Sequence, residues 1–385
     1  MKYEVFWKNP GYRVRPELHQ DISCDYLIIG GGITGVSLAY FLAKYGAKNI
    51  VLIEKHALAS GATGKAAGTL VVRGESDLSD LVKLHGRKNA FVIWKKIMNA
   101  LDNLGEIIVR EHIACDFERL PTLYCGVKGK NYNDLHKEFS LVQNIIGRET
   151  FLSETELKQE INTSYFSHGI LSHEHGISVN PLQLTQNFSR VIEKMGVKIY
   201  ENTALLRFSN NIAFTQHGNI RYKKIILALD REHPTEKVKS LKSTIVVSRP
   251  LTRTELSQTK LEKRKIMWDT LKNYHYSKLT RDNRLLVGFG GIIVHKKNKK
   301  TDPHYPHFRE LEHFIEKIFP YLSLDFDYAW SGNFGVTKNF HPFIEIKKDV
   351  ASIAGCGTQV LCFMSADYLA AKLLGKKSEL AIMFT

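Results

Sequence analysis

The 385-residue chain has only five cysteines, Cys24, Cys115, Cys125, Cys356 and Cys362, which are odd in number, scattered and without a CxxC pair. That excludes a disulfide framework and a zinc site, and leaves free thiols. No run of about eighteen apolar residues occurs, so no membrane span is expected, and the stretch Met1 to Pro10 lacks the apolar centre of a secretion signal. A cytoplasmic location is the expectation. His168, His173 and His175 sit in a glycine-punctuated segment without further ligands at a recognisable spacing, so no metal is expected. No internal repeat or low-complexity tract is apparent.

Acidic residues are scarce beside basic ones, 39 against 54, for a formal net charge of +15. Such a balance favours an anionic cofactor, nucleic acid or an anionic membrane surface. The charge is dispersed, however. Its densest run, His295-Lys296-Lys297-Asn298-Lys299-Lys300 followed by Thr301-Asp302-Pro303, reads as a solvated loop rather than a basic groove interleaved with aromatics. Nucleic acid is therefore not the expected partner. With 43% hydrophobic residues the chain can bury a large core, and its length suggests two or three domains.

What is present is concentrated near the start. Asp25-Tyr26-Leu27-Ile28-Ile29-Gly30-Gly31-Gly32-Ile33-Thr34-Gly35, closed by Val51-Leu52-Ile53-Glu54-Lys55, combines a buried strand, a glycine turn, a helix and an acidic stop. Gly30 allows the tight turn, Gly32 lets the backbone approach a pyrophosphate, and Gly35 lets the helix starting near Ile33 and Thr34 pack on the strand. The helix N-terminus faces the phosphates. Glu54 is placed to accept hydrogen bonds from a ribose 2'-hydroxyl. The pattern predicts a bound dinucleotide, against the alternative of a purely structural βαβ unit.

The small-residue stretch Ser60-Gly61-Ala62-Thr63-Gly64-Lys65-Ala66-Ala67-Gly68-Thr69 follows, suited to close backbone approach to a flat ligand. A helix is predicted over about Leu78 to Leu104, then strands at Ile113 to Phe117 and Leu120 to Val127 that begin a second lobe. Asn180 and Pro181 supply a cap and first-turn proline for a helix ending at Gly196. Val197 to Tyr200 and Lys224 to Leu229 read as further strands of the nucleotide sheet, with a hairpin between them. Segments at Ser243 to Val247, Tyr274 to Leu279 and Leu285 to Phe289, with a helix near Phe308 to Phe319, form a β-rich lobe. Val350 to Gly357, followed by a helix at Met364 to Leu374, repeats the strand, glycine turn and helix order.

The predicted architecture is α/β, α+β overall: a discontinuous Rossmann-like domain with a β-rich antiparallel substrate domain. The boundaries read as an arm at 1–20, a nucleotide-binding domain at 21–110, 165–233 and 329–385, and a substrate domain at 111–164 and 234–328.

These residues resemble the FAD-dependent oxidoreductases of the D-amino-acid oxidase and sarcosine oxidase type. The resemblance rests on the N-terminal fingerprint, on Gly61-Ala62-Thr63-Gly64-Lys65 where the family has a GxSGRN-like arm, and on Tyr276-Ser277-Lys278-Leu279-Thr280-Arg281-Asp282-Asn283-Arg284-Leu285-Leu286. The stretch Asp327-Tyr328-Ala329-Trp330-Ser331-Gly332-Asn333-Phe334-Gly335-Val336-Thr337, with His341-Pro342-Phe343-Ile344 and Ala354-Gly355, looks most like the gamma-glutamylputrescine oxidoreductase branch. The implied cofactor is FAD, held without a covalent bond because no cysteine stands at Gly332, where sarcosine oxidases attach it. Contacts are expected from Gly30, Gly32, Ile33, Thr34, Gly35, Glu54, Lys55, the arm Gly61 to Lys65, and Gly355, Gly357, Thr358, Gln359 and Val360. The last turn's N–H groups and helix dipole would stabilise negative charge on the reduced ring.

Two departures bear on substrate. Phe334 stands where glycine-oxidase-like sequences have an arginine, and Cys362 where sarcosine-oxidase-like sequences have a carboxylate-binding lysine. The run Gly357-Thr358-Gln359-Val360-Leu361 replaces a glycine- and histidine-rich loop. The resemblance thus implies oxidation of a primary or secondary amine, with dioxygen or another acceptor reoxidising the flavin. The alternatives are a D-amino acid or N-methyl amino acid oxidase, an RNA-associated flavoprotein, and a flavin-binding module with weakened turnover. Candidate positioning groups are Arg73, Tyr276 and His341; their plainer readings are an ion pair, an interface aromatic and a loop histidine.

Overall fold

The computed structural model describes residues 1–74, 76–293 and 305–383. The basic run at 295–300 lies outside the described residues. Two sheets organise the chain. In the smaller, the strands Phe343–Lys347, Val350–Ala354, Asn219–Leu227, Ile22–Ile29, Ile50–Ile53 and Lys198–Tyr200 lie side by side in that order. From Val350–Ala354 to Lys198–Tyr200 the pairing is parallel, and Phe343–Lys347 closes one edge antiparallel. The predicted hairpin is present as Arg207–Ser209 and Ile212–Phe214.

The period-two alternation of the central strands sorts their side chains onto two faces. Ile28, Leu52 and Ile226 join a core with the helices Ile33–Lys44, Pro181–Lys194 and Gln359–Leu373; Leu27, Ile29, Val51, Ile53 and Ile225 join a second core with Leu18 and Tyr222. Each such side chain contributes about 1.5–3 kcal/mol on burial, so the sheet position beneath the glycine turn is fixed from both sides.

The larger sheet runs Phe326–Thr337, Val238–Pro250, Arg284–Ile293, His275–Leu279, Ile266–Asp269, Glu118–Val127, Phe166–Ser178 and Thr69–Val71. It is antiparallel except where Ile266–Asp269 meets Glu118–Val127. Helices Arg253–Thr259 and Tyr305–Ile318 bury Leu256, Leu311 and Phe314 in its outer core.

Strand pairing departs from the expected boundaries at two places. Phe166–Ser178 and Phe326–Thr337, assigned by sequence to the nucleotide-binding part, are hydrogen-bonded into the larger sheet. Both are long strands of mixed polarity that pair with Glu118–Val127 and Val238–Pro250, distant in sequence, so local pattern carries no sign of the sheet they join. The expected strand at Ile113 to Phe117 is instead a turn and irregular chain, with His112 and Asp116 at φ 49° and 51°, incompatible with a strand. The helical stretch Leu78–Arg110, broken by a kink at Gly86 (φ 73°, ψ 160°), runs past its expected end, and the last helix begins at Gln359 rather than Met364. The first 20 residues have little regular structure and reach toward both sheets: Lys2 bridges Tyr328, and Tyr12 donates to Glu201.

Candidate active site

A cavity of about 1010 Å³ opens between the two sheets. Its nucleotide end is built by the first glycine turn. Gly30 has φ 114°, and a Cβ there would lie 2.4 Å from the Ala228 carbonyl oxygen, so only glycine fits. A Cβ on Gly35 would lie 1.9 Å from the Gly30 oxygen, which is the close helix–strand contact expected. Gly35 is thus a packing residue and does not line the cavity. Gly32 does line it, and a Cβ there meets only the Thr63 hydroxyl at 3.1 Å; the open side of Gly32 is the cavity. Gly32 brings no capping side chain to the helix Ile33–Lys44, which leaves its N-terminal dipole facing an anion site.

Glu54 lines the same end. Its Oε2 accepts the Gly31 N–H at 2.7 Å and its Oε1 the His56 N–H at 3.0 Å, which fixes the carboxylate rotamer while leaving lone pairs for a ligand hydroxyl. Lys55, on the rim, pairs with Glu232 at 2.7 Å. From the arm, Gly61, Ala62, Thr63 and Lys65 line the cavity; Gly64 does not, because its Cβ direction runs into the Ala59 carbonyl at 2.2 Å. Thr63 Oγ1 accepts the Ile33 N–H at 3.1 Å and so fastens the arm to the helix start.

At the other end, Gly357, Thr358 and Gln359 face the cavity, whereas Gly355 and Val360 are corrections to the expected set. Gly355 packs against Val238 and Thr337, and Val360 is buried in the helix-side core. The helix turn of 100° per residue sends Gln359 and Val360 in different directions. Thr358 caps this helix by accepting the Leu361 N–H at 3.2 Å. Both polar atoms of the Gln359 side chain are buried without a protein partner among the described residues. An inward-facing cradle, a phosphate-oriented helix start and an orphaned amide on the opposite wall together fit a dinucleotide carrying a polar ring system.

The candidate substrate residues separate. Arg73 lines the cavity, 8% exposed, but its Nε is 3.1 Å from Asp77 and its Nη2 3.1 Å from Glu138, and its guanidinium lies 4.8 Å from the centre of the Tyr124 ring. Glu138 in turn accepts the Leu78 and Ser79 N–H groups at 2.8 and 2.9 Å, capping the long helix. Burial, with Glu138 beside it, pushes the Asp77 carboxyl above the usual carboxylate range. Tyr276 lines the cavity, its hydroxyl 2.8 Å from Ser243 Oγ, and its ring lies over Gly288 on the next strand. His341 is a correction. It is absent from the cavity wall and buried against His85, Nε2 to Nε2 at 3.0 Å, because the loop after Phe326–Thr337 turns toward the long helix.

Sequence reasoning missed Asp230, Lys242, Trp268 and Tyr274, which line the cavity with Phe334 and Cys362. Asp230 sits at φ 50° and accepts the Gly335 N–H through both carboxylate oxygens at 3.1 Å; burial raises its pKa. Its signal was an aspartate directly after a buried strand, where a left-handed turn is tolerated. The others come from strands whose facing depends on sheet assembly.

The sequence profile of the family described as FAD dependent oxidoreductase (DAO) matches residues 25–372. The chain belongs to this family of FAD-dependent oxidoreductases, and is therefore an enzyme with FAD as its cofactor. It is 26% identical over 375 residues to gamma-glutamylputrescine oxidoreductase of Escherichia coli strain K12, covering 94% of this chain and 86% of that one. Among solved structures, L-proline dehydrogenase from P. horikoshii matches with TM-score 0.77 and 18% identity over 96% of both chains. Glycine oxidase from Geobacillus kaustophilus matches with TM-score 0.75 and 16% identity over 94% of this chain and 98% of that one. The fold is thus the mixed α/β fold of these oxidases. Among the described residues no helix is long and apolar enough to cross a membrane.

Proposed function

We propose that this enzyme oxidises the carbon–nitrogen bond of an amine to an imine that water hydrolyses, with dioxygen as the final electron acceptor. Bound FAD supplies the hydride acceptor. The chain's residues orient the amine and exclude water: Trp268, Tyr274, Tyr276 and Phe334 present ring surface that attracts an alkylammonium and shields the reacting carbon. The observation that carries the reading is the state of Arg73. Its charge is consumed by Asp77 and Glu138, so it is not free to hold a substrate carboxylate, and it does not repel a cationic amine.

Oxidation of a D-amino acid or N-methyl amino acid is the second reading, and it rests on Lys242, the cavity-lining cation of the larger sheet. Anaerobic titration of the yellow holoenzyme with amines and with matched amino acids separates the two. Bleaching of the flavin band by amines alone supports the proposal; bleaching by amino acids alone overturns it. Tight FAD with no bleaching by either identifies a weakened module. The five unpaired cysteines support a cytoplasmic location as part of this reading, tested by cell fractionation.

A further inference from the structure

The arm that walls the cofactor cavity is made of small residues, which have little side-chain surface to anchor a backbone. Its carbonyls are instead held from behind by three donors from three separate parts of the chain. Trp7 Nε1, on the N-terminal arm, donates to the Ala66 oxygen at 2.8 Å. Trp330 Nε1, on Phe326–Thr337, donates to the Lys65 oxygen at 2.8 Å. Lys278 Nζ, on His275–Leu279, donates to the Gly68 oxygen at 2.7 Å and reaches Ser178 Oγ at 2.9 Å and the Val179 oxygen at 3.0 Å. An ammonium has three N–H donors, and all are used.

The donors are also packed on one another. The Trp7 and Trp330 rings meet edge to face with centroids 6.4 Å apart, and Lys278 Nζ is 5.2 Å from the Trp7 ring centre. Trp7, Trp330 and Lys278 are 6%, 5% and 1% exposed. Room for the lysine comes from Gly68, where a Cβ would lie 3.1 Å from Nζ and 2.1 Å from the Val179 oxygen.

Direction gives this clamp its consequence. In a trans peptide the C=O and the following N–H point in opposite senses. Among the described residues no peptide is cis. Drawing the Ala66 carbonyl back to Trp7 therefore turns the Ala67 N–H forward, and Ala66, Ala67 and Gly68 all line the cavity. We propose that Trp7, Trp330 and Lys278 are positioning residues for FAD: they aim the Lys65–Gly68 backbone at the cofactor, so that a residue near the chain's start sets cofactor affinity without touching the cofactor.

The test uses the full chain, stripped of flavin and titrated with FAD while flavin fluorescence is read, with Trp7→Phe and Trp330→Phe as the main variants. Each keeps an aromatic ring and deletes one neutral donor, so the FAD dissociation constant should rise about three- to tenfold. Amide exchange across 65–68 should quicken in the holoenzyme. The melting temperature of the apoprotein should hold while the rise induced by FAD shrinks, a split that a merely structural role would not produce. Lys278→Met should exceed tenfold; if it fails to fold, the two phenylalanine variants decide the matter. Asn9→Ala, which removes an arm contact to Gln186 away from the clamp, should leave FAD affinity unchanged. FAD affinity within twofold of the parent in both phenylalanine variants, or an equal loss in Asn9→Ala, would overturn the proposal.

Discussion

Glu138 and Arg73 come from helices and loops separated by 65 positions, yet they meet at 3.1 Å with both side chains buried. The carboxylate also closes the first turn of the helical segment that begins at Leu78 and kinks at Gly86, so one residue pairs with Arg73 on the cavity wall and caps that segment. Glu138→Ala should lower unfolding free energy by about 3 kcal/mol, since it removes one of the two carboxylates paired with the buried Arg73 and leaves two backbone donors without their acceptor. Glu138→Gln, which keeps one acceptor, should lose less. Urea unfolding of the two variants checks the order, and equal losses would refute the shared role.

Two glycines of the fingerprint should fail in different ways. At Gly32, φ is −77° and the only near neighbour of an added Cβ is Thr63 Oγ1, so Gly32→Ala should fold as apoprotein with FAD affinity reduced at least tenfold. Gly35→Ala drives a methyl against the Gly30 oxygen and should destabilise the apoprotein itself. Apoprotein melting temperatures together with flavin content separate the two; a Gly32→Ala protein that retains its flavin would count against the assignment of the cavity wall.

Phe334 offers a change of substrate class. Phe334→Arg adds a cation to a wall where Arg73 is already paired, and should give measurable flavin reduction by an N-methyl amino acid while cutting kcat/KM for amines about tenfold or more. Stopped-flow reduction rates with paired substrates are the readout. Unchanged preference would show that the substrate does not reach this residue.

His341 predicts an acid-side instability. Burial, and then the nearby His85, push its pKa down to about 4 from the ordinary value near 6.5. The unfolded chain takes up the proton first, so stability from this residue is full above about pH 6.5 and falls as pH drops toward 4. Nε2 to Nε2 pairing also requires one ring to donate and the other to accept, which a second proton abolishes. Urea midpoints at pH 7 and pH 4.5 should converge less in the parent than in His341→Gln. An identical pH slope in both proteins would remove the histidine pair as a cause.

The nucleotide end was legible because its determinants are local. Gly30, Gly32, Glu54 and the strands Ile22–Ile29 and Ile50–Ile53 lie within one βαβ unit whose spacing is local, even though the Ala228 carbonyl behind Gly30 comes from a distant strand end. The substrate end was not. Trp268 is placed by the pairing of Ile266–Asp269 with Glu118–Val127, strands that lie far apart in sequence, and Tyr274 sits just before the strand His275–Leu279 of the same sheet. Arg73 was singled out and lines the cavity, but its pairing with Glu138 belongs to a third segment. His341 was misplaced for the same reason, since its partner His85 sits on a helix whose approach no local pattern reveals.

The Lys2 N–H reaches the Asp327 oxygen and the Lys2 oxygen receives the Ala329 N–H, at 2.6 and 2.9 Å. The segment around Lys2 thus depends for its seating on Phe326–Thr337, a strand far along the chain. An N-terminal fusion would sit beside that junction, whereas a shortened chain lacking the opening residues should emerge pale even when its interior is sound. On the proposal above, cofactor capture consequently waits until Phe326–Thr337 has been made.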